Sequence, residues 1–159
     1  MSPEQKVTPD FFDEVCAIPG GEAVKLCIQC GTCAASCPNA YKMEYPCRQI
    51  IAMVRAGLRE EVLSSDSMWF CCSCYLCTVR CPRGLKPTEL MHALECLAVR
   101  HGLSSKQTPT PVMYRTFVDS IKGNGRVHEL GFMVRFYIRE FLSRLSLSRL
   151  SYRGLTILY

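Results

Sequence analysis

Cysteine placement constrains this chain more than any other feature. Residues 27–38 read CIQCGTCAASCP, and residues 71–82 read CCSCYLCTVRCP. By number, Cys27, Cys30, Cys33 and Cys37 repeat the spacing of Cys71, Cys74, Cys77 and Cys81, and a proline follows each set. Such crowding, done twice at the same spacing, calls for a shared partner. In all, 12 of the 159 residues are cysteine, a load that in a small secreted domain would suggest disulfides. The opening MSPEQKVTPDFFDEV has neither a basic leader nor an apolar run, so it does not read as a signal peptide. No stretch approaches the ~18 apolar residues of a membrane span. The expectation is a cytoplasmic protein whose clustered thiols bind metal rather than cross-link.

The pattern C-x2-C-x2-C-x3-C-P is the ferredoxin-type ligand run for [4Fe–4S] clusters. Three cysteines at a spacing of three wrap one cube, and the fourth, carried away by proline, ligates the other cube in two-cluster proteins. Applied here, Cys27, Cys30, Cys33 and Cys81 hold cluster I, and Cys71, Cys74, Cys77 and Cys37 hold cluster II. The expected cofactors are therefore two [4Fe–4S] clusters. A pair of four-thiolate zinc sites would ordinarily use two C-x2-C knuckles per metal, not a triple run with a distant fourth cysteine. Cys72 abuts Cys71 but breaks the spacing to Cys74, and is not expected to be a ligand. Cys16, Cys47, Cys72 and Cys96 read as core or partly buried thiols. His92, His101 and His128 show no ligand spacing and read as surface or helix-end residues.

Helical signals fill the rest of the chain. Thr8-Pro9 predicts a helix start, with Thr8 as cap, and Gly20-Gly21 a stop after Phe11, Phe12 and Val15. A short helix over about 22–26 leads into the first cysteine run. Pro46 opens a helix with an apolar face of Ile50, Met53 and Val54, and Gly57 closes it. LREEVLSS predicts another, and Ser65-Asp66 a cap for the turn beyond it. Leu90, Leu94, Leu97 and Ala98 form one stripe of the clearest helix, which Gly102 stops. SSKQTPTP reads as a linker, with a helix over about 112–122 ending at GNG and an irregular helix over 126–150. Period-2 alternation is missing throughout, so the expected class is mostly α. The 33 residues between Cys37 and Cys71 predict helices rather than the shorter, strand-bearing link of small β-type ferredoxins. The expected architecture is an α-helical ferredoxin domain over 1–105. A linker and a basic, apolar helical extension over 106–159 come after it.

The segments CIQCGTCAASCP, RQIIAMVRAG and SDSMWFCCSCYLCTVRCPRGL, with the helix after them, resemble the C subunit of heterodisulfide reductase and its homologues, including the heterodisulfide reductase-like complexes of sulfur oxidisers. Gly31 in the first run, Trp69 before the second and CPRG after it carry the likeness, which covers roughly residues 10–105. GNGRVHELG, residues 123–131, is similar to the segment that comes next in many bacterial homologues. The departure is Cys47, outside both ligand runs. The resemblance implies an electron conduit between a flavoprotein, the A subunit, and a disulfide-active CCG-domain protein, the B subunit. It implies no catalytic residue in this chain, which carries neither a CCG domain nor a dinucleotide-binding G-x-G-x-x-G. Another family with the α-helical ferredoxin, the iron–sulfur subunits of quinone-linked dehydrogenases of the succinate/fumarate reductase type, usually carries a further N-terminal cluster domain, for which the 26 residues before Cys27 leave too little chain. A regulatory iron–sulfur module would bring a DNA-binding or receiver element, and none is recognisable.

Charge divides the chain in two. Residues 1–102 carry a net −1 and residues 103–159 a net +6. The basic part lacks a nucleic-acid motif, so nucleic acid is not an expected partner. Arg135, Arg139, Arg149 and Arg153 gather on one side of a helical projection, while apolar residues spread nearly all round it, and LSRLS occurs twice in succession. A helix apolar on most faces requires burial. Docking on a partner protein of the complex is the expectation, with peripheral membrane contact as the other reading.

Overall fold

A computed structural model describes residues 8–103 and 108–144. The described residues form helices, turns and loops with no strand. The chain divides into two units, Met1–Ser105 and Lys106–Tyr159.

In the first unit, helix α1 (Asp10–Cys16) and a 3-10 turn (Glu22–Leu26) precede the first cysteine loop, which ends in α2 (Thr32–Ser36). Helices α3 (Cys47–Arg55) and α4 (Arg59–Ser64) follow. A second 3-10 turn (Ser67–Phe70) then leads into the second cysteine loop and α5 (Leu76–Val79), and α6 (Pro87–His101) closes the unit. A helix pair thus sits between the two cysteine loops, as the composition of that segment predicts.

The core explains why these elements assemble. Leu90, Leu94, Leu97 and Ala98 of α6 are buried, as the stripe predicts. They meet Ile50, Ile51 and Val54 of α3, Val62 and Leu63 of α4, and Phe11 and Val15 of α1 in one cluster. Full burial of each large aliphatic side chain contributes about 1.5–3 kcal/mol. The α3 face is rotated from expectation: Cys47, Ile50, Ile51 and Val54 are buried, an i, i+3, i+4, i+7 set, while Met53 is only partly covered. Cys47 is therefore a core residue.

Two expected caps are absent. Helix α1 starts at Asp10 with Pro9 as its N-cap, and Thr8 instead bonds Gly57 across the fold, through its backbone N–H at 2.9 Å and its hydroxyl at 3.3 Å. That bond ties the start of the unit to the end of α3. Ser65 donates backward to the Val62 carbonyl at 2.8 Å, and Asp66 makes no side-chain cap to the 3-10 turn after it. Gly102 ends α6 with φ +67°, the left-handed geometry in which a side chain is strained.

The second unit holds α7 (Thr110–Asn124) and α8 (Glu129–Arg144), which pack on each other. Helix α7 is longer than its sequence signal because the TPTP stretch supplies its N-terminal end, with Pro111 in the first turn. Phe117 meets Phe132 edge-on at 6.2 Å, and Phe132 stacks on Phe136 at 6.1 Å. Arg139 donates to Asp119 at 2.7 Å and to Thr116 at 3.2 Å. The part of the irregular helix expected over 145–150, with Arg149 and Arg153, lies outside the described residues.

Candidate metal centre

The two cysteine loops share one backbone course. Each follows a 3-10 turn and runs into a short helix that starts one residue before the third cysteine. Gln29 and Ser73, each just before the second cysteine, have φ of +58° and +53°. Gly31 and Tyr75, each just after it, have φ of +85° and +59°. Three of these four residues are not glycine, and such residues rarely occupy the left-handed region. The same pair of left-handed residues recurs at the same place in both loops. In the first loop the Gln29 backbone N–H and its side-chain amide both reach Cys27 Sγ at 3.4 Å. The Thr32 hydroxyl lies 3.4 Å from Cys30 Sγ. In the second loop the Thr88 hydroxyl of α6 lies 3.4 Å from Cys77 Sγ. Donors aimed at sulfur suit thiolates bound to a cofactor.

Helices α2 and α5 pack against each other and bring the loops together. Cys27, Cys30 and Cys33 line a cavity, open to solvent, together with Cys81, Pro82 and Arg83. Arg48 lines the same cavity. On the other side, Cys37 feels the charges of Cys77 and Cys74. Cys81 thus shares a cavity with the first run's three cysteines, and Cys37 lies near Cys74 and Cys77 as well as Cys72. Among the described residues no three His, Cys, Asp or Glu side chains form a group that could hold a single metal ion. A cube binds one thiolate per corner and does not require sulfurs gathered around one ion. The donor set, four thiols around a cavity with backbone and side-chain donors aimed at sulfur, fits the cluster that the spacing predicts.

The thiols are electrostatically unequal. Cys33 is lowered to about 7, first by its hydrogen bond with the Cys47 thiol, with backbone donors and Arg48 helping against burial. Cys30 is lowered mainly by the Thr32 hydroxyl. Burial pushes Cys37 and Cys71 up. Cys47 lies well above its ordinary value, because its proton is held on the Cys33 sulfur and burial adds to that.

Of the other expected bystanders, Cys16 is partly buried, while Cys72 and Cys96 are exposed, so the core reading fails for those two. Cys96 is on the outer face of α6, and Cys72 lies in an exposed stretch with Ser73 and Cys74. The histidines lie at the surface but are partnered: His92 with Ser73 at 2.9 Å, His101 with Glu14 at 2.8 Å, and His128 with the Gly131 N–H at 3.0 Å. Sequence spacing gives no sign of these pairs.

The 4Fe–4S dicluster domain family matches residues 23–85, the span that holds both loops and the helices between them. Over 110 residues the chain is 38% identical to the iron–sulfur C subunit of the CoB–CoM heterodisulfide reductase of Methanopyrus kandleri, covering 65% of this chain and 57% of that protein. It is 34% identical over 121 residues to the C2 subunit of the H2/formate:CoB–CoM heterodisulfide,ferredoxin reductase of Methanococcus maripaludis, covering 72% and 65%. The matched part of this chain belongs to the family of heterodisulfide reductase C subunits. A third relative, the C subunit of the ferredoxin:CoB–CoM heterodisulfide reductase of Methanosarcina mazei, is 44% identical over 82 residues, 52% of this chain and 50% of that protein. The chain spans between about half and two thirds of the length of these relatives. The dicluster domain makes this an iron–sulfur protein.

Proposed function

We propose that this chain is the electron-relay component of a heterodisulfide reductase-like complex, with two [4Fe–4S] clusters bound by crossed ligation. Cys27, Cys30, Cys33 and Cys81 hold cluster I, and Cys71, Cys74, Cys77 and Cys37 hold cluster II. The observation that carries this reading is the cavity that Cys81 shares with the first run's three cysteines. Clusters of this kind accept and release single electrons at potentials tuned by charge, hydrogen bonds to sulfur and exposure. The chain's own residues do the rest. The left-handed pairs fix the loops, the α2–α5 contact keeps the two sites adjacent, and Gln29, Thr32 and Thr88 donate to ligand sulfur.

No residue here serves as a substrate base or nucleophile in this reading. Electrons enter and leave through partners, a flavoprotein and a disulfide-active CCG-domain protein, and the complex resides in the cytoplasm. The relay domain covers 1–105, and 106–159 is a docking extension. The C-subunit names of the relatives support the partner class, and the exposed apolar residues of α7 and α8 support docking. None of the described helices is long and apolar enough to cross a membrane.

Anaerobic purification tests the reading. About eight iron and eight acid-labile sulfide per chain are expected, together with co-purifying flavoprotein and CCG-domain partners. Stoichiometric zinc without labile sulfide would refute it.

A further inference from the structure

Asn39 stands two residues after Cys37, the fourth cysteine of the first run. Its side-chain amide donates to the Phe70 carbonyl at 2.8 Å. Phe70 ends the 3-10 turn before the second run, and Cys71 follows it directly. The bond therefore joins the immediate surroundings of Cys37 and Cys71, thiols of different runs that the crossed reading gives to one cube. Its partners lie 31 positions apart in sequence, on either side of α3 and α4. A second bond strengthens the same junction: the Tyr45 backbone N–H donates to the Ser67 hydroxyl at 2.8 Å, and Ser67 is fully buried.

A site whose fourth thiolate comes from another loop requires two distant segments to be held at one separation, and closing such a loop costs conformational entropy. A hydrogen bond made by the protein alone fixes that separation before iron arrives. The bond also answers a backbone need, since a carbonyl at the end of a helical turn takes its partner from outside the turn. Cluster I has no matching brace. The residue 44 positions on from Asn39 is Arg83. Arg83 lines the open cavity, and among the described residues it makes no hydrogen bond to the turn before the first run. Arg55 of α3 donates to the Cys27 carbonyl at 2.8 Å, yet neither end of that bond belongs to the segment of Cys81.

We propose that Asn39 is a positioning residue that presets cluster II: it holds Cys37 in register with Cys71, Cys74 and Cys77 ahead of the metal, so that cluster II is the first to form and the last to leave. This rests on the two-cluster reading above, with its crossed ligation.

The test is chelator extraction of the cluster-loaded full chain, followed by EPR, with the two signals assigned by the changes that Cys30→Ser and Cys74→Ser make. Asn39→Ala removes the donor, and Asn39→Asp puts an acceptor of the same shape in its place. Both are expected to speed the loss of cluster II about fivefold, as the loss of one hydrogen bond implies, and to leave the cluster I rate unmoved. A merely structural role would speed both. The proposal is overturned if the variants keep the cluster II rate, lose both clusters faster alike, or lose cluster I alone faster. Should neither variant take up clusters, partial loading of the unmodified chain decides. Given about four iron and four sulfide per chain, half the full load, it is expected to show mainly the signal that Cys74→Ser alters. Equal signals, or mainly the one that Cys30→Ser alters, overturn the proposal. An unmodified chain that takes up no cluster refutes the relay reading and the proposal with it, whereas one that loads two clusters and fails the extraction test refutes the proposal alone.

Discussion

Crossed ligation is a claim about single residues, and two substitutions separate it from the sequential alternative. Cys37→Ser is expected to impair the cluster held by Cys71, Cys74 and Cys77, and Cys81→Ser the one held by Cys27, Cys30 and Cys33. Cys72→Ser, at an exposed thiol, should leave both EPR signals unchanged. If loss of Cys37 damages only the cluster of its own run, the crossing is wrong. The eight candidate ligands are readable in the sequence because their chemistry demands a fixed spacing. Cys47 is not, since a thiol that meets Cys33 only in three dimensions leaves no spacing to read.

Glu95 is a second residue that only the fold reveals. Burial raises its carboxyl from an ordinary 4.5 to about 7. The native state therefore holds the proton more tightly than the unfolded chain does. The stability tied to neutral Glu95 is complete below the unfolded value and is lost as pH rises through about 7. Glu95→Gln is accordingly expected to flatten the pH dependence of Tm between about 4.5 and about 7 and to raise Tm at and above the upper end. Thermal melts of the cluster-loaded chain across that range check it; parallel profiles for the two proteins would refute it.

At the scale of elements, hydrophobic period carried most of the information. Helix α6 is legible because its stripe is long and buried along its whole length. Leu94→Ala is expected to destabilise the first unit by about 2–5 kcal/mol, read from denaturant unfolding, with the ligand loops still able to take up iron. The misreadings have local causes. Helices α2 and α5, of five and four residues, are too short to show a period. Their place is set by the left-handed residues before them, and at Gln29, Ser73 and Tyr75 the sequence offers no glycine to announce that geometry. Thr8 and Ser65 looked like caps because their residue type favours capping. Each found a carbonyl acceptor instead, Thr8 at Gly57 and Ser65 at Val62.

The whole molecule joins a cluster unit with a complete core to a second unit whose apolar surface is largely uncovered. On α8, Leu130, Val134, Tyr137 and Phe141 recur at helical spacing and are 76%, 58%, 62% and 63% exposed. On α7, Tyr114, Phe117, Val118 and Ile121 are between 40% and 51% exposed. Apolar surface gathered on a helix face marks an interaction site. The arginines contribute less than their number implies, since Arg139 is engaged with Asp119 inside the unit. Because α7 and α8 pack on each other, cutting between them would leave α7 bare, so the informative truncation removes both helices after Leu103. That chain should retain both clusters and their spectra, because every candidate ligand lies before residue 82. It should lose assembly with a CCG-domain partner. Tyr137→Ser combined with Phe141→Ser should weaken assembly in the same direction without removing a helix, and Arg135→Glu should weaken it chiefly at low salt, where surface charge is least screened. Co-purification and vesicle sedimentation separate the two occupants of this surface: a double variant that still assembles but no longer pellets with anionic vesicles assigns the face to a membrane, and one that pellets but no longer assembles assigns it to the CCG-domain partner.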